Sequence, residues 1–150
     1  MLLASQTFAI TPADSMATLV VGLVAAVIFA IDGFLFYLLS RVGNATFTVE
    51  GGALRIDAPI YGRTIPKASL KLGEARVVRL AEETELQPVL RTNGVGLPGM
   101  KVGWFKLRNK QKGLIFVGPA QSALYIPTTE DFVLLLQPEQ PEQLLSALRS

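Results

Sequence analysis

Residues 91–112 read RTNGVGLPGMKVGWFKLRNKQK, and the residues next to their glycines separate an α/β nucleotide-binding chain from a mainly β one. Gly94, Gly96 and Gly99 stand at the spacing of a dinucleotide fingerprint. That fingerprint works only when a strand precedes it and a helix begins within it, so that backbone amides and the helix dipole meet a pyrophosphate. Here Pro98 interrupts the motif, and KVGWFKLR, Lys101 to Arg108, comes next as a strand. Gly99 is followed by Met100 rather than by Lys and then Ser or Thr, so the stretch is not a P-loop either. The glycines are expected to give a long connection, Ala81 to Met100, the positive φ of tight turns. Its length keeps Arg91, Asn93, Gly94, Gly96 and Gly99 as a candidate binding loop, since structureless connections above about 15 residues are often functional.

Outward from this stretch, short apolar segments alternate with turn residues every eight to twelve positions, the rhythm of an all-β sandwich or barrel. ATFTVE (Ala45 to Glu50), Gly51–Gly52 and ALRIDA (Ala53 to Ala58) read as a hairpin. APIYGRTIP turns the chain again, and ARVVRL (Ala75 to Leu80) is a β-branched strand. Lys101–Arg108, GLIFV (Gly113 to Val117), SALYIP (Ser122 to Pro127) and DFVLLL (Asp131 to Leu136) bring the expected total to about seven strands. The chain closes on a helix over 141–149: Pro141 suits its first turn, Glu142 its positive end, and Leu144, Leu145 and Leu148 share one face that must pack on the sheet.

Seven strands followed by one helix is the order of a pleckstrin-homology fold. LRIDAPIYGRTIP, LRTNGVGLPGMKVGWFKLRN, LYIPT and DFVLLLQPEQPEQLLSAL resemble a family of bacterial pleckstrin-homology-like proteins in which a membrane anchor precedes the domain. The resemblance covers roughly Thr46 to Leu148. It implies a mainly β, pleckstrin-homology-like sandwich or barrel of seven strands with a C-terminal capping helix, in a membrane-tethered setting, and it carries over no catalytic residue.

Half of the 150 residues are hydrophobic, a high share for a soluble chain. The excess lies in MATLVVGLVAAVIFAIDGFLFYLLS, Met16 to Ser40, long enough to cross a hydrocarbon core of about 30 Å. The chain thus divides into an N-terminal tail 1–15, a transmembrane helix 16–40 and a β domain 41–150. No Lys or Arg precedes the span, whereas Arg41, Arg55 and Arg63 come after it, so the positive-inside bias puts the C-terminal part in the cytoplasm of a bacterial plasma membrane, as a single-pass protein. Lack of a basic start and of a small-residue cleavage site argues for an anchor over a cleaved signal peptide. Thr18, Gly22, Ala26, Ala30 and Gly33 place small residues along one stripe, a candidate helix–helix contact or the ordinary composition of a membrane helix. Asp32 lies beyond the midpoint, where a charge costs on the order of 2–3 kcal/mol unless a partner, a proton or interfacial water relieves it.

No cysteine and no histidine occur, which excludes disulfides, thiolate metal sites and cysteine or histidine catalysis. No cofactor, no metal and no catalytic residue is expected. Between Glu85 and Glu130 there is no acidic residue, yet Arg91, Lys101, Lys106, Arg108, Lys110 and Lys112 fall there. Strand alternation puts Phe105 and Leu107 on one face and Trp104, Lys106 and Arg108 on the other. Trp104, Lys106, Arg108, Lys110 and Lys112 are the candidate lipid or partner surface, since an anionic leaflet attracts such residues by about 1 kcal/mol each; a solvated hairpin is the plainer alternative. No nucleic acid is expected, for no reading motif accompanies the charge. The sequon at Asn44 is idle on the cytoplasmic side, and EETE (Glu82 to Glu85) is a solvated turn. Three functions fit: a membrane-anchored binding or scaffold module for a protein partner or anionic lipid headgroups, a self-assembling homo-oligomer, and, last, an enzyme using the glycine-rich loop 93–99.

Overall fold

The computed structural model describes residues 9–12 and 14–150, so most of the expected tail 1–15 lies outside the described residues. The chain divides into two compact units, residues 1–38 and 39–150. α1 spans Ser15–Val42, slightly beyond the expected 16–40, and all but its last four residues belong to the first unit. Asp14 caps it: its Oδ1 accepts from the Met16 amide at 3.4 Å, answering one of the amides a helix start leaves unpaired. The large apolar side chains of α1 are exposed around its circumference, Phe29 and Phe36 among the most exposed. The helix is thus long and apolar enough to cross a membrane.

The second unit holds nine strands and a C-terminal helix. β1 (Thr46–Glu50), β2 (Ala53–Asp57) and β3 (Arg63–Pro66) form one antiparallel sheet in that order. Glu50 pairs with Ala53 across Gly51 and Gly52, whose φ values of 58° and 73° are those a type I′ hairpin turn requires. β4 (Arg76–Arg79), β5 (Pro88–Leu97), β6 (Met100–Leu107), β7 (Lys112–Val117), β8 (Ser122–Pro127) and β9 (Val133–Leu136) form the second sheet, ordered β4-β8-β9-β7-β6-β5. Its one parallel pair is β7–β9.

The central strands of the large sheet are buried on both faces, which is why they read as solid apolar runs. Leu114, Phe116, Leu124, Ile126, Leu134 and Leu136 meet Leu54, Ile56 and Ile65 of the small sheet. The alternate residues Ile115, Ala123, Tyr125, Val133 and Leu135 form a second core with Val78, Leu86, Phe105 and Leu107. That second core is enclosed because the β5–β6 hairpin curls: Lys101 Nζ donates to Pro88 O at 3.3 Å, although Pro88 pairs with Leu107, six positions further along β6. Two irregularities in β5, with Val89 and Thr92 as extra residues, supply the added twist. α2 (Pro141–Arg149) packs on β8, β1 and β4 with Leu148 buried, and Arg149 donates to Ala75 O at 2.8 Å and to Leu72 O.

The mainly β class with its C-terminal helix is as expected, but the strands number nine rather than seven. β3 hides in a segment whose Pro59, Gly62 and Pro66 signal turns. β5 hides in the supposed connection 81–100, because two glycines and an exposed edge position remove the apolar alternation that marks a strand. The true connection is Leu80 to Gln87, tightened by a 3₁₀ turn at Thr84–Leu86.

Candidate binding site

Arg91, Asn93, Gly94 and Gly96 therefore lie on strand β5, and Gly99 in its turn, rather than in a loop. Leu97 pairs with Met100 across Pro98–Gly99, with Gly99 at φ 78°, the positive φ a type II turn places after its proline. Gly94 faces Gly103 across the ladder, and Gly103 has φ 111°. A Cβ on Gly103 would lie 2.7 Å from Gly94 Cα, 2.8 Å from Asn93 O and 2.9 Å from Tyr61 Cε2. The pair thus lets two strands and Tyr61 meet closely, and the Tyr61 hydroxyl donates to Asn93 Oδ1 at 3.3 Å. No helix begins in the motif, so the phosphate-cradling arrangement of a dinucleotide fingerprint is absent there.

The basic hairpin does converge on a site. Lys106 and Lys112 are register partners on β6 and β7, and Trp104 is the next residue on the same face. Lys112 Nζ stands 4.5 Å from the centroid of the Trp104 ring, within cation–π range. Phe132 meets Trp104 edge-on at 5.2 Å and fixes the ring, while Thr92 donates to Trp104 O at 3.1 Å. Trp104, Lys106, Lys110 and Lys112 line a groove of about 520 Å³ with Thr92 and Asn93 of β5. The turn that carries Lys110 is tight: the Lys110 amide donates to Leu107 O at 2.9 Å, the Leu107 amide to Gln111 O at 2.8 Å, and Lys110 takes φ 71°, a left-handed conformation unusual for lysine.

Two features differ from the alternation argument. Arg108 leaves the patch, because β6 ends at Leu107 and the turn redirects the next side chain; its Nη2 reaches Gln87 Oε1 at 3.4 Å and it lines a separate cleft with Leu80 and Ala81. Arg63 joins the patch from β3, its Cζ 5.4 Å from the Trp104 centroid and 5.6 Å from that of Phe132. Nothing in the local sequence pointed to Arg63, which sits 41 positions before Trp104 in a segment whose composition signals a turn. Trp104, Lys112 and Arg63 also line a second depression, with Glu130 and Asp131 on its rim.

Arg55–Asp57, Arg76–Glu83 and Arg79–Glu82 form ion pairs in the β domain. None involves Arg63, Lys106, Lys110 or Lys112, whereas the EETE turn is tied to β4. Directly opposed like charges on one sheet face destabilise by roughly 0.2–1 kcal/mol, so the Lys106–Lys112 pair is an arrangement that a bound anion would relieve.

A family model described as the bacterial PH domain matches residues 45–150, all nine strands and the C-terminal helix. The chain belongs to the bacterial PH domain family. No curated protein and no solved structure matches it. In this bacterial PH domain protein the matched region excludes α1, whose Gly22, Ala26, Ala30 and Gly33 are exposed, with open space around both glycines. Asp32 is exposed as well. Among the described residues no group of acidic side chains is placed to hold a metal ion.

Proposed function

We propose that the protein is a single-pass, membrane-anchored binding module, with its bacterial PH domain on the cytoplasmic side of the plasma membrane and its Trp104 groove engaging anionic lipid headgroups. The domain acts by binding, not by catalysis. Several observations support the reading. α1 has 28 residues, about 42 Å at 1.5 Å per residue, enough for a hydrocarbon core of about 30 Å even when tilted. Arginines come after it and none precedes it. The observation that carries the ligand class is the convergence of Lys106, Lys110, Lys112 and Arg63, none of them ion-paired, around one half-exposed tryptophan. Such a ring is amphipathic and suits the interface, while the cations attract an anionic leaflet.

Trp104 is the sole tryptophan, so its emission reports on the groove directly. The full chain in nanodiscs should show a blue-shifted Trp104 in anionic bilayers relative to neutral ones, with the shift declining as salt rises. Equal emission in both bilayers would remove the lipid reading, and a shift produced only by an acidic protein recovered with the chain would replace it with a protein-binding one. Self-assembly is the second reading, favoured by the small-residue stripe on α1. Crosslinking in native membranes would show it as a ladder of multiples of one chain.

A further inference from the structure

A cavity of about 300 Å³ opens between β1 of the small sheet and the β6–β7 pair of the large one. Its walls include Ala45, Phe47, Met100, Val102, Phe116 and Pro119, and no charged residue lines it. Phe47 meets Phe116 edge-on with ring centroids 6.0 Å apart, and Val102 is the register partner of Phe116. The one polar side chain in the lining is Gln137, and its amide is committed elsewhere. Its Oε1 accepts from the Gly118 amide at 2.6 Å, and its Nε2 donates to Ala120 O at 2.6 Å and Ser122 O at 3.0 Å. The wall side chains are thus apolar or already paired, and apolar surface outweighs the backbone polar surface, which favours hydrocarbon over a charged ligand. The volume is twice that of a cavity of about 150 Å³ that takes up benzene, and stands at the lower bound of ligand pockets, about 300 Å³.

We infer that this cavity takes the end of an acyl chain from a lipid of the bilayer that holds the anchor. The inference rests on the membrane-anchored reading, and the covalent chain supplies the reason. Gly43, part of the cavity wall, comes directly after Val42, the last residue of α1, and consecutive Cα atoms are about 3.8 Å apart. A wall residue is thus held three positions beyond Ser40, the end of the apolar span, whatever orientation the domain adopts. Three residues span at most about 11 Å of chain, so this wall stands at the bilayer interface, within reach of a lipid tail that bends out of the hydrocarbon core. Gly43 also packs closely on Met100, since a Cβ there would lie 2.7 Å from Met100 Sδ.

The test is photolabelling of the full chain in phosphatidylcholine vesicles doped with a phosphatidylcholine whose acyl chain carries a terminal diazirine, followed by mapping of adducts. Adducts are expected on residues of α1 and, separately, on Met100 and Phe116. Ala45→Phe, which fills the cavity, should remove the Met100 and Phe116 adducts and spare those on α1, with Trp104 emission confirming the fold. Ala120→Phe, at an exposed lining position, should give the same loss and stands in if the first variant fails to fold. Unlabelled α1 would overturn the membrane reading itself. Labelled α1 with an unlabelled cavity would overturn the acyl-chain inference and leave the anchor standing. Adducts that persist in both variants, equal labelling by a headgroup diazirine, or Met100 crosslinked to a second copy would each overturn it.

Discussion

Lys112 lies over Trp104 as a diagonal neighbour, not as its ladder partner: Trp104 is opposite Leu114, Lys112 is opposite Lys106, and the ammonium still comes within 4.5 Å of the ring centroid. The ring draws Lys112 toward itself while Lys106 repels it from across the ladder. Removing that repulsion should stabilise the ligand-free domain. Lys106→Gln is expected to raise stability by up to about 1 kcal/mol in neutral detergent, read from urea unfolding followed by Trp104 emission. An unchanged midpoint would mean that the two lysines avoid each other at no cost.

Lys110 carries a second, independent strain. With φ at 71°, its side chain bears the left-handed penalty that glycine does not. Lys110→Gly should stabilise the domain by about 1 kcal/mol by the same unfolding measurement, while weakening its attraction to anionic bilayers. Destabilisation would show that the lysine stem contributes packing that offsets its backbone conformation.

The glycines around the β5–β6 turn divide into two kinds. Gly103→Ala should destabilise by about 3 kcal/mol, because positive φ and three contacts below 3 Å act together. Gly96→Ala should be close to neutral, since the nearest atom to its Cβ, Phe105 Cζ, is 3.9 Å away. A thermal scan of both variants checks the contrast. A large effect on bilayer binding by Gly96→Ala without loss of stability would revive a ligand-binding role for the motif.

Whether an element is legible in the sequence depends on where its residues sit. Gly51–Gly52 between two alternating runs is a local instruction, and the type I′ turn appears where it is written. The runs in β7, β8 and β9 are solid because both faces of their sheet are covered, so strand assignment there needs no register. β5 offers neither signal. It is an edge strand, exposed along most of its length, bent by two irregularities and thinned by Gly94 and Gly96, and Gly94 is glycine because a partner strand presses on it. The site shows the same division. Trp104, Lys106, Lys110 and Lys112 come from one hairpin and are legible together, whereas Arg63 arrives by sheet packing and Arg108 departs because a turn ends the alternation.

Orientation in the membrane is open to a direct check. A reporter fused after Ser150 that is active only outside the cytoplasm should stay silent, and one active only inside should give signal. The reverse pattern would place the bacterial PH domain outside and remove the anionic inner leaflet as its proposed ligand.

The most direct measurement of the account is quenching of Trp104 by brominated anionic lipid in nanodiscs, compared between charge variants of the full chain. Wild type should be quenched in anionic bilayers. Lys106→Gln, Lys110→Gln and Lys112→Gln combined should weaken headgroup attraction about a hundredfold, at about 1 kcal/mol per lysine, and lose most of the quenching. Arg108→Gln, whose guanidinium is turned toward Gln87, should be quenched like wild type. Quenching that survives the triple substitution, or that disappears with Arg108→Gln, would contradict the assignment of this groove as the anion-binding site.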